Sequence, residues 1–483
     1  MGGRRARRAA AAFTVLVALL ATPDPAAAAP GPVEVGPAEG LSATPAATMA
    51  SARSAHAAVT LLNGKVLVVG GRIPGGFVDT AELYDPSSDT WSPAGAPGFG
   101  AWASATLLVD GRVLVAGGNH QLGPCPQHNC IDNKAAVYNP DTNTFSPAPP
   151  MNFQRSRHTA TRLTDGRVLV AGGARDDFTS HVSAEVYVPA TNSWVPTGPM
   201  LQGRASHTAT LLPNGTVLVA GGDGNDVQGV ATTELYDPGA GTWSSGPSMS
   251  AARSWATATT LGSGGRILVT GGEGDAFGNA LASAELYDPA VNAWSAATSM
   301  AVSRVRHTAT LLLDGTVLVT GGTVGGNSSV ESLNSTERYR PSSNSWTSGP
   351  RMAVARQQHT ASLLGSGDVL VAGGVPITAT AERLGAPPLA NPTVLEPGQA
   401  FSAGVHGLLS PNSSYRLKLG TGAETCHLST TFLGGTVNAD GSGDIAPVRR
   451  VLPSNLTSGE RHLCWVRNGS TTDHSLPTEI TIV

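Results

Sequence analysis

Charge is scarce in this chain: Asp, Glu, Lys and Arg make up 13% of 483 residues, and Lys occurs only at Lys65, Lys134 and Lys418. With a formal net charge of −4, there is no electrostatic case for nucleic acid or an anionic membrane as partner. No segment carries the apolar spacing of a long amphipathic helix. Aromatic residues are sparse at 5% and Cys occurs four times, whereas glycine is abundant, with 59 copies. This balance describes a turn-rich β protein, not a helical one.

The first residues read as a leader. "MGGRRARR" is basic, "AAAAFTVLVALLA" apolar and "PAAAAP" rich in small residues, the three parts of an export signal spanning 1–28 with cleavage near Ala28. The apolar run is too short to span a bilayer, so membrane insertion is not expected. Loss of Arg4, Arg5, Arg7, Arg8 and Asp24 takes the formal charge from −4 to −7. In an exported chain four cysteines suggest two disulfides, which we pair as Cys125 with Cys130 and Cys426 with Cys464, each within one expected domain.

Seven glycine doublets punctuate the sequence, at Gly70–Gly71, Gly117–Gly118, Gly172–Gly173, Gly221–Gly222, Gly271–Gly272, Gly321–Gly322 and Gly373–Gly374. Each ends a short β-branched run such as "VLVAGG", expected to be a buried strand. A strand of the type "HTATLL" precedes it, and "AELYDP" and a strand bearing Trp or Phe follow. Four strands per unit, repeated about every 50 residues, predict an all-β, seven-bladed propeller over 33–388. The seventh unit lacks its last strand, and residues near 33–46 are expected to supply it. The doublets with Tyr and Trp at these spacings resemble kelch repeats, which implies the propeller fold but no single function.

Comparing the units separates scaffold from site. Arg53, Arg155, Arg204, Arg253, Arg304 and Arg356 recur, as do Glu82, Glu185, Glu234, Glu285, Glu337 and Glu382; the second unit lacks both, having Gly100 and Ala136. Joint loss predicts that they pair. His56, His158, His207, His307 and His359 also recur and read as packing elements, like the six tyrosines of the "AELYDP" pattern. The residue before the His position varies instead: Ala55, Trp102, Arg157, Ser206, Trp255, Arg306 and Gln358. We expect these residues to ring the channel mouth, with Trp102, Arg157, Ser206, Trp255, Arg306 and Gln358 binding ligand through sugar stacking and guanidinium contacts. A channel plug is the bland alternative. In "NHQLGPCPQHNC" we expect a disulfide-braced loop in preference to a metal site, and in "GDGNDVQG" an acidic turn in preference to a calcium site.

Residues 389–483 show short alternating strands consistent with an Ig-like sandwich. A kelch propeller followed by such a sandwich resembles galactose oxidase and its copper radical relatives, and "LGTGAETCHLS" is similar to their copper-binding loop. That resemblance implies copper at His359 and His427. Yet Gln358 stands where one copper Tyr would be, and Ala276 and Phe277 are nearest to the radical Tyr. Trp255 or Ser254 stands near its cross-linking Cys. The first reading is therefore a secreted, monomeric, non-catalytic protein without cofactor that binds a glycan or other surface ligand, with a protein as the alternative partner. A copper-dependent oxidase of sugars or aldehydes is the second reading. A third resembles exported kelch isomerases of sialic acid, which need an acid–base residue at the mouth; the comparison singles out none.

Overall fold

The computed structural model describes residues 41–119, 130–176, 179–224, 229–262, 264–274, 279–325 and 331–385. It also gives the backbone of strand segments at 18–20, 394–395, 400–405, 414–420, 437–438, 445–451, 459–467 and 478–482. Among these residues there is no helix, hence none long and apolar enough to cross a membrane. The first unit is a ring of seven four-stranded antiparallel sheets. In the fourth blade the strands, from axis to rim, are Thr208–Leu211, Val217–Ala220, Thr233–Asp237 and Thr242–Ser245. The seventh blade takes its outermost strand, Ser42–Ala46, from the segment that precedes the first blade in sequence. Its innermost strand, Thr360–Leu363, lies against Ala57–Thr60 of the first blade, which closes the ring.

The second strands are buried on both faces, so they read as continuous apolar runs and not as alternating ones. Their alternate side chains pack into the two adjoining blades; Leu67 and Val69 of the first blade meet Val113 and Val115 of the second. Each such side chain contributes about 1.5–3 kcal/mol on burial. At the rim, Trp91, Trp194, Trp243, Trp294 and Trp346 each donate an indole N–H, at 2.8 Å, to a carbonyl of an earlier segment.

The doublet glycines permit a close approach of neighbouring blades. Gly117 has φ +64°, and a Cβ there would lie 2.5 Å from the Arg155 carbonyl oxygen and 2.7 Å from His158 Cε1. Gly117→Ala should therefore destabilise the ring by roughly 3 kcal/mol, readable from the urea midpoint. A wild-type midpoint would contradict this packing.

The second unit contains a five-stranded sheet ordered Val394–Leu395, Thr478–Ile482, Gly459–Arg467, Ser414–Gly420, Val437–Asn438. A three-stranded sheet joins Ala18–Leu20, Ala400–Val405 and Ile445–Val451. Most of the leader, Cys125, Cys426 and His427 lie outside the described residues, and the side chain of Cys464 is not described. Cys130 is disulfide-bonded.

Candidate functional site

The residues preceding the His position form a closed circuit at one end of the channel. The N–H of each donates to the carbonyl of its counterpart one blade back. Ala55 bonds Gln358 at 2.8 Å, Trp102 bonds Ala55 at 2.9 Å, Arg157 bonds Trp102 at 3.4 Å and Ser206 bonds Arg157 at 2.9 Å. Trp255 bonds Ser206 at 3.0 Å, Arg306 bonds Trp255 at 3.4 Å and Gln358 bonds Arg306 at 3.1 Å. All seven adopt φ between 52° and 57°, a left-handed conformation that strains bulky residues, and the circuit holds them there. Each side chain is thereby aimed from a rigid platform.

Two of the four central side chains are indoles and two are guanidinium groups, and they stack. Arg157 Cζ lies 4.9 Å from the Trp102 ring centre and 5.2 Å from that of Trp255, while Arg306 Cζ lies 5.3 Å from Trp255. These four, with Ala55, Ser206, Gln358 and the neighbouring histidines, line a cavity of about 310 Å³. Cation–π contacts engage both indoles, which position the arginines.

The two classes of arginine differ in what they touch. The six repeated arginines form ion pairs of 2.6–3.1 Å with the six repeated glutamates. Arg204 donates to Glu234, to the carbonyls of Gly221 and Thr232 and to the Thr232 hydroxyl, filling Nε, Nη1 and Nη2. Arg155 and Arg356 leave Nε unpaired but use both Nη groups. Arg157 and Arg306 also leave a buried Nε without an acceptor, and no described residue accepts a hydrogen bond from either guanidinium. Among the described residues their in-plane donors have no acceptor.

Two carboxylates stand beside the circuit, within electrostatic reach of Arg157 and Arg306 though not in the lining of that cavity, and the comparison of repeats did not single them out. Asp223 and Glu273 directly follow the doublets of the fourth and fifth blades, and each pairs through its backbone with the residue before the circuit, Ala205 or Ser254. Burial raises the pKa of Asp223, opposed by a Ser254 hydrogen bond and by the charges of Arg157 and Arg306. Burial also raises that of Glu273; Arg306 and Arg157 oppose the shift and Asp223 reinforces it. A signal existed, because the position after the doublet does not repeat: Arg72, Asn119, Ala174, Asp223, Glu273, Thr323, Val375. The hub thus also holds two titratable carboxylates that do not repeat from blade to blade.

The histidines stitch blades together. Nε2 of His56, His158, His207, His307 and His359 lies 2.8–3.1 Å from a Thr or Ser hydroxyl on the preceding blade. His359 Nε2 also meets Thr320 Oγ1 at 3.0 Å, and its Nδ1 is buried without a partner. Among the described residues the donor set of the copper centre that the family resemblance implies is not assembled, and His427 lies outside them. His359 Nε2 is engaged with threonines, and the hydroxyls of Tyr84, Tyr138, Tyr187, Tyr236, Tyr287 and Tyr339 are all hydrogen-bonded, five within their own blades and Tyr236 to Thr197 of the preceding one. Ala276 and Phe277 lie outside the described residues. Among the described residues no group of three or more His, Cys, Asp or Glu is placed to hold a metal.

A family model described as the Kelch motif matches residues 53–97, 204–250, 255–301 and 304–353. The chain carries kelch repeats. Beta-scruin of Limulus polyphemus is 29% identical over 26% of this chain, and Kelch-like protein 36 of Bos taurus is 29% identical over 24%. The matched segments cover only 14% and 18% of those proteins' lengths. A fungal alcohol oxidase of the AA5 family, solved in complex with copper, superposes with a TM-score of 0.62 at 15% identity, covering 92% of this chain and 99% of that one. At that identity the likeness concerns the fold alone. The kelch propeller is thus secure as architecture, and its chemistry rests on the mouth.

Proposed function

We propose that this kelch propeller is an exported binding module whose mouth takes a carbohydrate carrying a carboxylate. The observation that carries the reading is the Arg157 guanidinium held between Trp102 and Trp255, its donors without an acceptor among the described residues. A planar carboxylate matches those edges in bidentate fashion, and the preset stack reduces the entropy lost on binding. Export is supported by the leader pattern at 1–28. The cysteine pairings Cys125–Cys130 and Cys426–Cys464 belong to the same proposal.

On an array of acidic and neutral glycans, binding should be confined to carboxylate-bearing members. Arg157→Gln and Arg306→Gln should each weaken it at least tenfold, about 1.5–3 kcal/mol for a charge-assisted hydrogen bond, with little change in Tm. Undiminished affinity in both variants, or a preference for neutral glycans, would overturn the assignment. The oxidase alternative draws on the likeness of fold and on the resemblance of the loop around His427. It requires stoichiometric copper in the purified protein and peroxide release from sugar alcohols.

A further inference from the structure

The mouth presents charges of both signs that do not neutralise one another. Arg157, Asp223, Glu273 and Arg306 come from four consecutive blades and act electrostatically on one another. Even so, no ion pair joins either arginine to either carboxylate among the described residues; the pairs present in the propeller are the scaffold pairs and surface contacts. Beside the exposed Arg72, which also acts on Arg157, two arginines and two carboxylates are thus partly withdrawn from water and, among the described residues, left apart, a costly arrangement unless a ligand completes it. A simple anion would satisfy the guanidinium groups and be repelled by the carboxylates. A neutral sugar would desolvate all four charges and neutralise none.

We infer that the mouth is matched to a zwitterion, a small molecule bearing a carboxylate for Arg157 and Arg306 and a primary ammonium for Asp223 and Glu273. Such a ligand leaves the net charge of the site unchanged and pairs every member of it. At the same level, Asn119 and Thr323 are each 3% exposed, and Asn119 Oδ1 and Thr323 Oγ1 have no hydrogen-bond partner. Buried polar atoms of this kind mark places where hydroxyl groups or water complete the bonding. They favour a sugar framework over a bare amino acid. The inference rests on the proposed function, since it refines what the same mouth binds.

Calorimetry with the full chain separates the outcomes. The probes are muramic acid (ammonium and carboxylate on a sugar), N-acetylmuramic acid (carboxylate alone), glucosamine (ammonium alone) and alanine (both charges, no sugar). Muramic acid should bind at least tenfold more tightly than N-acetylmuramic acid and than glucosamine. Asp223→Asn and Glu273→Gln, nearly isosteric and singly introduced, should erase most of the advantage over N-acetylmuramic acid, whereas Arg157→Gln should weaken both ligands. Equal binding of muramic and N-acetylmuramic acid would overturn the zwitterion inference and leave an acidic-sugar mouth intact. Binding of neither would overturn the proposed function as well. Alanine binding as tightly as muramic acid would support the charge match and identify an amino acid as its source.

Discussion

Arg204→Met should destabilise the propeller by about 3–5 kcal/mol, because it strands the Glu234 carboxylate in a dry interior. Adding Glu234→Leu should recover roughly half of that loss, since the stranded charge is gone. Recovery is incomplete because Glu234 also accepts the N–H groups of Leu201 at 2.6 Å and Gln202 at 3.2 Å, which the double variant leaves unpaired. The second blade is a natural precedent. With Gly100 and Ala136 at the paired positions, it packs Phe99, 1% exposed, into its core, and Lys134 lies 5.3 Å from that ring. There the linker N–H of Gly98 finds the Asp79 carbonyl at 3.1 Å. Urea midpoints of the three proteins test the account. A double variant as unstable as Arg204→Met alone would show that the carboxylate is not the source of the penalty.

Acid should unfold the propeller well above the pH at which ordinary carboxylates titrate. Burial, reinforced by the adjacent repeated arginine, lowers the pKa of His158, His207, His307 and His359 to about 3, and that of His56 well below its ordinary value. These imidazoles are neutral in the fold and take up protons when the chain unfolds. Their stabilising contribution is complete above about pH 6.5 and is lost progressively as the pH falls toward 3. At pH 5 the loss is about 2 kcal/mol for each of the four histidines with a pKa near 3. These four together, with His56 acting in the same direction, rival the whole stability of a typical domain, about 5–15 kcal/mol. Asp223 and Glu273, whose pKa values burial raises, act with the opposite sign, but they are two against five. Urea midpoints should therefore fall steeply between pH 6.5 and 5, and His207→Gln should flatten the slope. Ala103 and Ala256 show that this blade position tolerates the loss of an imidazole. A midpoint constant over that interval would refute the mechanism.

How far the residues alone could be read follows from the range of the interactions. A glycine doublet, a β-branched run and an "AELYDP" strand are short patterns whose consequences play out within one blade, so strand order, blade number and the pairing of the repeated Arg and Glu were legible. The joint absence at Gly100 and Ala136 was itself informative, because a buried charge without its partner is not tolerated. The strand Ser42–Ala46 could be anticipated from the incomplete seventh unit for a similar reason: an open sheet edge needs a partner.

Which residues ring the mouth was legible from their failure to repeat, but not how they engage one another. They stand about 50 residues apart and meet only because the ring closes, so no local pattern shows that Arg157 slides between Trp102 and Trp255. Nor does sequence indicate that bulky residues hold a left-handed conformation; that strain is sustained by hydrogen bonds running around the whole circuit. Asp223 and Glu273 were in plain view after their doublets, but their meaning depends on Arg157 and Arg306 lying near yet unpaired. Short-range pattern built the blades, whereas the electrostatics of the hub exist only where seven distant segments converge on one axis.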